Sequence, residues 1–302
     1  MSTNQEEKSL IERNASCLDV NSPEDVPLYR IVPVKGPTGD VLDYYRGVQR
    51  EDTGQVVSVV SNRYGLVQHR DIASAVHTVA QAMDKPDMNV ESLRANPHFR
   101  AESIRLYAQG RRMEVKLVIG QKFRLDSQNE FYPAVRVFNS LDGAWAVRVE
   151  AFGVRLACTN QLYAGARSFL EFRELHLSSP SDMLGQIEKA IYQALDHFEG
   201  ALEHYAKAMD QRIHVTDFVP ALERAGLPQR HVKAMATGLP DHFGSVVWGE
   251  MSRWDAYQLA TRYLSHEVHV NPERERRFEH AAAKALLLAS GPTTEDPEMV
   301  LA

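Results

Sequence analysis

A chain of 302 residues with 44% hydrophobic and 25% charged side chains has the balance of a globular protein with a core of its own. No apolar run approaches the roughly 20 residues that cross a bilayer as a helix, and a net charge of −6 argues against nonspecific nucleic-acid binding over the whole surface. Cys17 and Cys158 are the only cysteines, too few for a disulfide framework, so a reducing cytoplasm is the expected compartment.

The first 28 residues, rich in Asn, Ser, Glu and Pro, read as a disordered arm. They resemble neither a secretory signal nor an Arg-rich transit peptide. Tyr29 to Val34 and Leu42 to Arg50 read as strands joined by a Lys-Gly-Pro-Thr-Gly-Asp turn, and the β-branched run from Gln55 to Val67 follows. From His69 to Met83, Ile72, Ala75, Val76, Val79, Ala80 and Met83 recur at helical spacing, so an amphipathic helix is expected to lie on one face of the sheet.

Two hairpins come next, one turning at Gln109-Gly110 and one at Asp142-Gly143, with Gly153 to Asn160 as a further strand. Pro180 starts a helix, with Asp182 near the positive end of its dipole. Met183, Leu184, Ile187, Ile191, Ala194, Leu195, Phe198, Leu202, Tyr205 and Met209 mark one stripe along it. A stripe of that length exceeds what one small sheet covers, which points to other helices or to another subunit, and hence to a homo-oligomer. Shorter helices are expected near Thr216–Ala225, Gln229–Thr237, Ser252–Glu267 and Pro272–Ala289. The fold class is therefore α+β: an antiparallel sheet covered by helices, followed by a long helix and a helical C-terminal region. The boundaries are a β-rich core over 29–178, a helical region over 179–290 and an acidic tail over 291–302.

Motifs for common chemistries are absent. There is no phosphate-binding Gly-x-x-x-x-Gly-Lys-Ser/Thr, no Gly-x-Gly-x-x-Gly after a strand and no Cys-x-x-Cys. Ser265 to His269 spells Ser-His-Glu-Val-His, whose histidines sit three apart rather than in the His-Glu-x-x-His zinc spacing, so no metal and no cofactor is expected. Cys158 shares a strand side with Val154 and Leu156, where a small hydrophobe suffices, and no activating base accompanies it. Thr159-Asn160 reads as a cap for the next turn. No catalytic residue is assigned.

Charge patterning singles out the sheet. Residues 46–174 carry 18 basic and 14 acidic side chains, a block of +4 between flanks of −4 and −6. Because strand side chains alternate faces, one parity holds Val115, Leu117, Val135, Val137, Val147 and Val149. The other holds Arg112, Lys116, Arg136, Phe138 and Arg148, with Arg155 on the following strand. Glu114 and Glu150 dilute that charge. An outer face simply bathed in solvent would look like this. So would a basic platform for a single-stranded backbone, with Phe138 placed to stack on a base.

The stretch from Asn139 to Leu162 resembles the core signature of a phage- and plasmid-associated family known as domain of unknown function nine-three-two. That signature runs Asn-Ser-x-Asp-Gly-Ser, an alternating strand, then Arg-x-x-Cys-x-Asn and a leucine. Asn139, Ser140, Asp142, Gly143, Arg155, Cys158, Asn160 and Leu162 fit it, and Ala144 stands where the serine is usual. Trp254 to His266 is similar to the family's later half. The resemblance implies a protein of mobile elements, acting in their DNA transactions. At the level of fold the core is also similar to single-strand annealing proteins of recombination, which form rings and bind DNA along a basic groove.

Two functions follow as expectations. The first is a non-enzymatic single-stranded DNA-binding protein that oligomerises with itself, contacting phosphate through Arg112, Lys116, Arg136, Arg148 and Arg155. The second is an interaction or structural protein of a mobile element with no DNA contact, which the −6 charge favours.

Overall fold

The computed structural model describes residues 17–83, 103–118, 123–124, 130–155, 161–163, 170–172, 180–237, 250–268 and 272–288. It is a mixed α+β chain that divides into two compact units. The first comprises Met1–Gln121, Ala134–Ala151 and Ser168–Leu195, and the second Lys122–Pro133, Phe152–Arg167 and Asp196–Ala302. The boundary expected near residue 178 is therefore replaced by one that several elements cross, because β8, β9 and the long helix each contribute to both cores.

In the first unit, β2 (Tyr29–Lys35), β3 (Val41–Arg50) and β4 (Val56–Ser61) form a three-stranded antiparallel sheet in that order. Its inner face contributes Tyr29, Val48, Val57 and Val60 to a buried cluster with Leu141. The helix α1 (His69–Met83) has the bounds its periodicity requires, and Ile72, Ala73, Val76 and Val79 are buried where it packs against β6.

The larger antiparallel sheet runs β1 (Leu18–Val20), β5 (Ser103–Tyr107), β6 (Arg112–Val118), β8 (Glu130–Ser140), β9 (Val147–Arg155) and β10 (Gln161–Tyr163). Two short strands pair beside this path: β7 (Phe123–Arg124) with β8, and β11 (Leu170–Phe172) with β9. Leu18 to Val20 pairs with β5 through Leu18↔Leu106 and Val20↔Ile104, and a short 3-10 turn follows at Pro23–Asp25. The disordered arm expected over the first 28 residues is thus corrected for this stretch: backbone hydrogen bonding to an open sheet edge orders a segment whose composition alone looks unstructured. Residues 1–16 lie outside the described residues.

In the second unit, β12 (Arg212–His214) pairs with β13 (Glu250–Ser252). The helices α3 (Val215–Arg224), α4 (Gln229–Thr237), α5 (Arg253–Glu267) and α6 (Pro272–Leu288) pack among themselves, α5 and α3 both against α6. Ser252 caps α5, its hydroxyl accepting from the Asp255 N–H at 2.9 Å. Trp254 sits at the centre of an aromatic cluster, 5.7 Å from Phe131, 5.8 Å from Tyr205 and 5.9 Å from Tyr257.

The long helix, α2 (Pro180–Asp210), has the length read from its stripe. It begins in one unit and ends in the other. Of the stripe residues, Ile187, Ile191 and Tyr205 are already buried by the chain itself, Tyr205 against Trp254 and Tyr257. The stripe therefore gives no ground for a homo-oligomer: two cores share the helix that one small sheet would have left partly uncovered.

Candidate functional site

The alternation that picks out the basic face holds. Cross-strand partners are Lys116↔Arg136, Glu114↔Phe138 and Arg112↔Ser140 between β6 and β8, and Ser103↔Lys116, Arg105↔Glu114 and Tyr107↔Arg112 between β5 and β6. Arg112, Lys116, Arg136 and Phe138 thus share one face. The expectation that this face is open to solvent is corrected. Arg136 and Phe138 are each 1% exposed, among the most deeply buried large side chains described. Phe138 cannot present its ring to a base from there.

Two features close the layer. Glu114 places its carboxylate in the middle of the cations: Arg136 Nε lies 3.1 Å from Oε1, Lys116 Nζ lies 4.0 Å from the same oxygen, and the Tyr107 hydroxyl donates to Oε2 at 2.9 Å. Burial by itself pushes the Glu114 carboxyl up, but Lys116, Arg136, Arg105 and the Tyr107 hydroxyl outweigh it and hold it below the ordinary range. Glu114 is therefore an ionised counter-charge, with no proton to give at neutral pH. Burial first, and then the neighbouring carboxylate, drive the Tyr107 hydroxyl well above its usual range, so it stays a donor.

Trp145 is the second feature. It folds back from the β8–β9 loop onto Phe138 (ring centroids 5.7 Å apart, planes at 86°) and Tyr107 (6.0 Å, 62°), with the Arg112 guanidinium 5.4 Å from its own ring centre. Edge-to-face aromatic pairs of this kind add about 0.5–1.5 kcal/mol beyond the area they bury.

The signature residues explain how that loop is held. Asp142-Gly143 does not form a two-residue hairpin turn: six residues, 141–146, separate β8 from β9. Ser140 Oγ accepts from the Trp145 N–H at 3.0 Å and donates to the Trp145 carbonyl at 2.9 Å. Asp142 accepts from the Ala144 N–H at 3.0 Å and from Arg112 Nε at 3.0 Å. Gly143 takes a φ of +69°, the left-handed conformation that glycine adopts without steric cost. The loop also ties in the three-stranded sheet, since Ser58 donates to the Leu141 carbonyl at 2.6 Å and Tyr64 to the Ser140 carbonyl at 3.0 Å.

Asn139 faces the opposite side. Its side-chain amide donates to the Val67 carbonyl at 3.2 Å and to His69 Nδ1 at 2.9 Å. His69 Nε2 then donates to the Gly110 carbonyl at 3.2 Å, an oxygen that also accepts from the Tyr29 hydroxyl at 2.8 Å. Both outer partners of His69 are thereby consistent with a neutral ring protonated on Nε2. Burial pushes the Tyr29 hydroxyl up to about 12, so it too remains a donor. Asn139→Ala removes the donor to His69 Nδ1 inside the core, and a loss of about 1–3 kcal/mol is expected, read as a lowered thermal midpoint. An unchanged midpoint would show that this chain of bonds contributes nothing.

The remaining sequence candidates divide. Arg148 is half-buried on β9, opposite Glu171 of β11 and between the fully buried Val147 and Val149. Arg155 ends that same strand rather than a following one, and the odd separation of seven residues sets it on the opposite face from Arg148. Cys158 and Asn160 lie outside the described residues. Glu114, Tyr107, Trp145, His69 and Tyr29 were not among the candidates. Trp145 had one signal, an aromatic residue two positions past the turn glycine, but a buried glutamate among arginines looks like an ordinary solvated strand. Among the described residues no three His, Cys, Asp or Glu side chains are grouped to hold a metal ion, and no helix is long and apolar enough to cross a membrane.

Every signature residue that is described thus has a part in holding the loop or the helix against the sheet. A family model described as Domain of unknown function (DUF932) matches residues 56–286, well over half of the chain. No curated protein and no solved structure matches it. The match spans the strand–loop–strand with its Asn-Ser-x-Asp-Gly turn as well as the helical second unit, and on that ground the chain belongs to the DUF932 family.

Proposed function

We propose that the protein is a non-enzymatic interaction protein that binds a protein surface, in preference to the single-stranded DNA contact that its alternating arginines suggest. The observation that supports this is the interior position of Arg136 and Phe138, whose charge and ring are engaged by Glu114 and Trp145. A phosphate-binding platform needs exposed cations not already neutralised by carboxylates. The large hydrophobic side chains left exposed gather instead on the three-stranded sheet, with Tyr44 and Tyr45 among them. The resemblance of the signature to phage- and plasmid-associated proteins supports a role within a mobile element, and the sparse cysteines support a cytoplasmic setting.

Fluorescence anisotropy with labelled single-stranded DNA across a salt series tests this. The expected result is no saturable binding at micromolar protein and physiological salt. Arg112 is the member of the expected set that keeps a partly exposed side chain, at 32%. Tight binding whose salt slope falls by about one charge in Arg112→Ala would restore the DNA-binding reading.

A further inference from the structure

The outer face of the three-stranded sheet is apolar where an outer face is ordinarily polar. Along β3 that face carries Val41, Asp43, Tyr45, Gly47 and Gln49, by alternation from Val48, which points into the core. Register adds Val32 from β2 and Val59 from β4, both opposite Gly47, and Val56 opposite Gln49. Val59 is 54% exposed and Tyr45 53%, with Val41 and Val56 close behind. A β-bulge in β4 turns Val57 inward while leaving Val56 on the outer side.

Gly47 makes the strip continuous. A Cβ there would come within 3.0 Å of Val32 Cγ2 and 3.3 Å of Val56 Cγ1, so the two valines from opposite edges lean together over a bare backbone. Side chains this exposed present on the order of 400 Å² of apolar surface, the size at which a patch marks an interface.

The ends of the strip are polar and opposite in sign. Arg30 lies across from Gln49 and donates to its side-chain carbonyl at 2.9 Å, and Asp43 lies six residues along β3 at the other end, about 20 Å away at ~3.4 Å per residue. Both are exposed. An apolar centre between a cation and an anion is complementary to itself under a two-fold axis. A second copy turned about an axis near Gly47 sets its own valines on these valines, Arg30 over the partner subunit's Asp43 and Asp43 over the partner subunit's Arg30.

We infer that the partner bound by this face is a second copy of the chain, packed sheet on sheet with the two faces about 10 Å apart. The strip supplies the apolar centre and the Arg30 and Asp43 ends supply part of a polar rim, the usual anatomy of a specific interface. The inference rests on the interaction-protein reading and narrows it to one surface and one occupant.

Sedimentation velocity of the full chain from about 1 to 100 μM tests it, because interfaces of standard size hold well within that range. A dimer is expected. Val59→Asp and Tyr45→Glu, both at exposed positions, should each raise the dimer dissociation constant at least roughly tenfold with the thermal midpoint unchanged. Arg30→Asp and Asp43→Arg should each weaken the dimer, and the two together should restore it, a reciprocal rescue that loss of fold cannot imitate. A monomer throughout the range, a dimer indifferent to Val59→Asp, or a double charge swap no better than its singles would each overturn the inference. Those results leave the interaction-protein reading standing for another partner, whereas that reading fails on the DNA titration.

Discussion

Replacing Glu114 by glutamine is expected to cost about 3–5 kcal/mol of stability, the range seen when one member of a buried ion pair is removed. The substitution is nearly isosteric, so packing is preserved and the change is one of charge. What it leaves is a layer in which Arg105, Lys116 and Arg136 surround a neutral amide, in a region where Arg136 is almost wholly out of water. At about 2–4 °C per kcal/mol for a chain of this size, the thermal midpoint should drop by about 10 °C.

The effect should depend on pH with a definite sign. The Glu114 carboxyl is depressed in the folded state, so it binds its proton less readily there than in the unfolded chain. Its contribution is fully present above the unfolded-state value near 4.3 and is lost as pH falls through the lower folded-state value. Melting both proteins from neutral pH downward should show their midpoints converging in acid. A gap that stays constant, or one that opens in acid, would mean that Glu114 is not the counter-charge of this layer.

Gly110→Ala is the second substitution expected to be severe, at about 3 kcal/mol or more. Gly110 has a φ of +84° and follows Ala108 and Gln109 at +50° and +61°, so three successive residues of the β5–β6 turn occupy the left-handed region. An added Cβ would fall 2.6 Å from the Tyr29 hydroxyl oxygen, closer than side-chain atoms approach one another. Tyr29 cannot step aside freely, because its hydroxyl bonds the Gly110 carbonyl that His69 also bonds, and its ring meets the His69 ring edge-on at 5.7 Å. The turn, the first residue of α1 and the first residue of β2 are joined at one carbonyl.

Gly143→Ala provides the comparison. Its φ of +69° is similar, but nothing lies within 4 Å of the added Cβ. The cost there should be the backbone term alone, about 1–2 kcal/mol. Chemical denaturation of the two variants separates the contributions: similar small losses in both would show that the Tyr29 contact yields without penalty.

The sequence by itself determined the elements. Hydrophobic spacing set α1 and α4 to the residue and the other helices to within one or two, because a helix that buries one stripe must repeat it every 3.6 residues. Alternation likewise assigned Arg112, Lys116, Arg136 and Phe138 to a common face, since a pleated strand leaves no other arrangement. What covers that face is not encoded at any fixed spacing. Phe138 is closed over by Trp145, seven residues on, through a loop whose path depends on Ser140 bonding both sides of the Trp145 backbone. Arg136 is neutralised by Glu114, one strand away and 22 residues earlier in the chain. A basic strand face open to water and one sealed by an internal carboxylate and an aromatic lid have the same local pattern. Burial depends on which distant residues converge, and only the tertiary structure decides that.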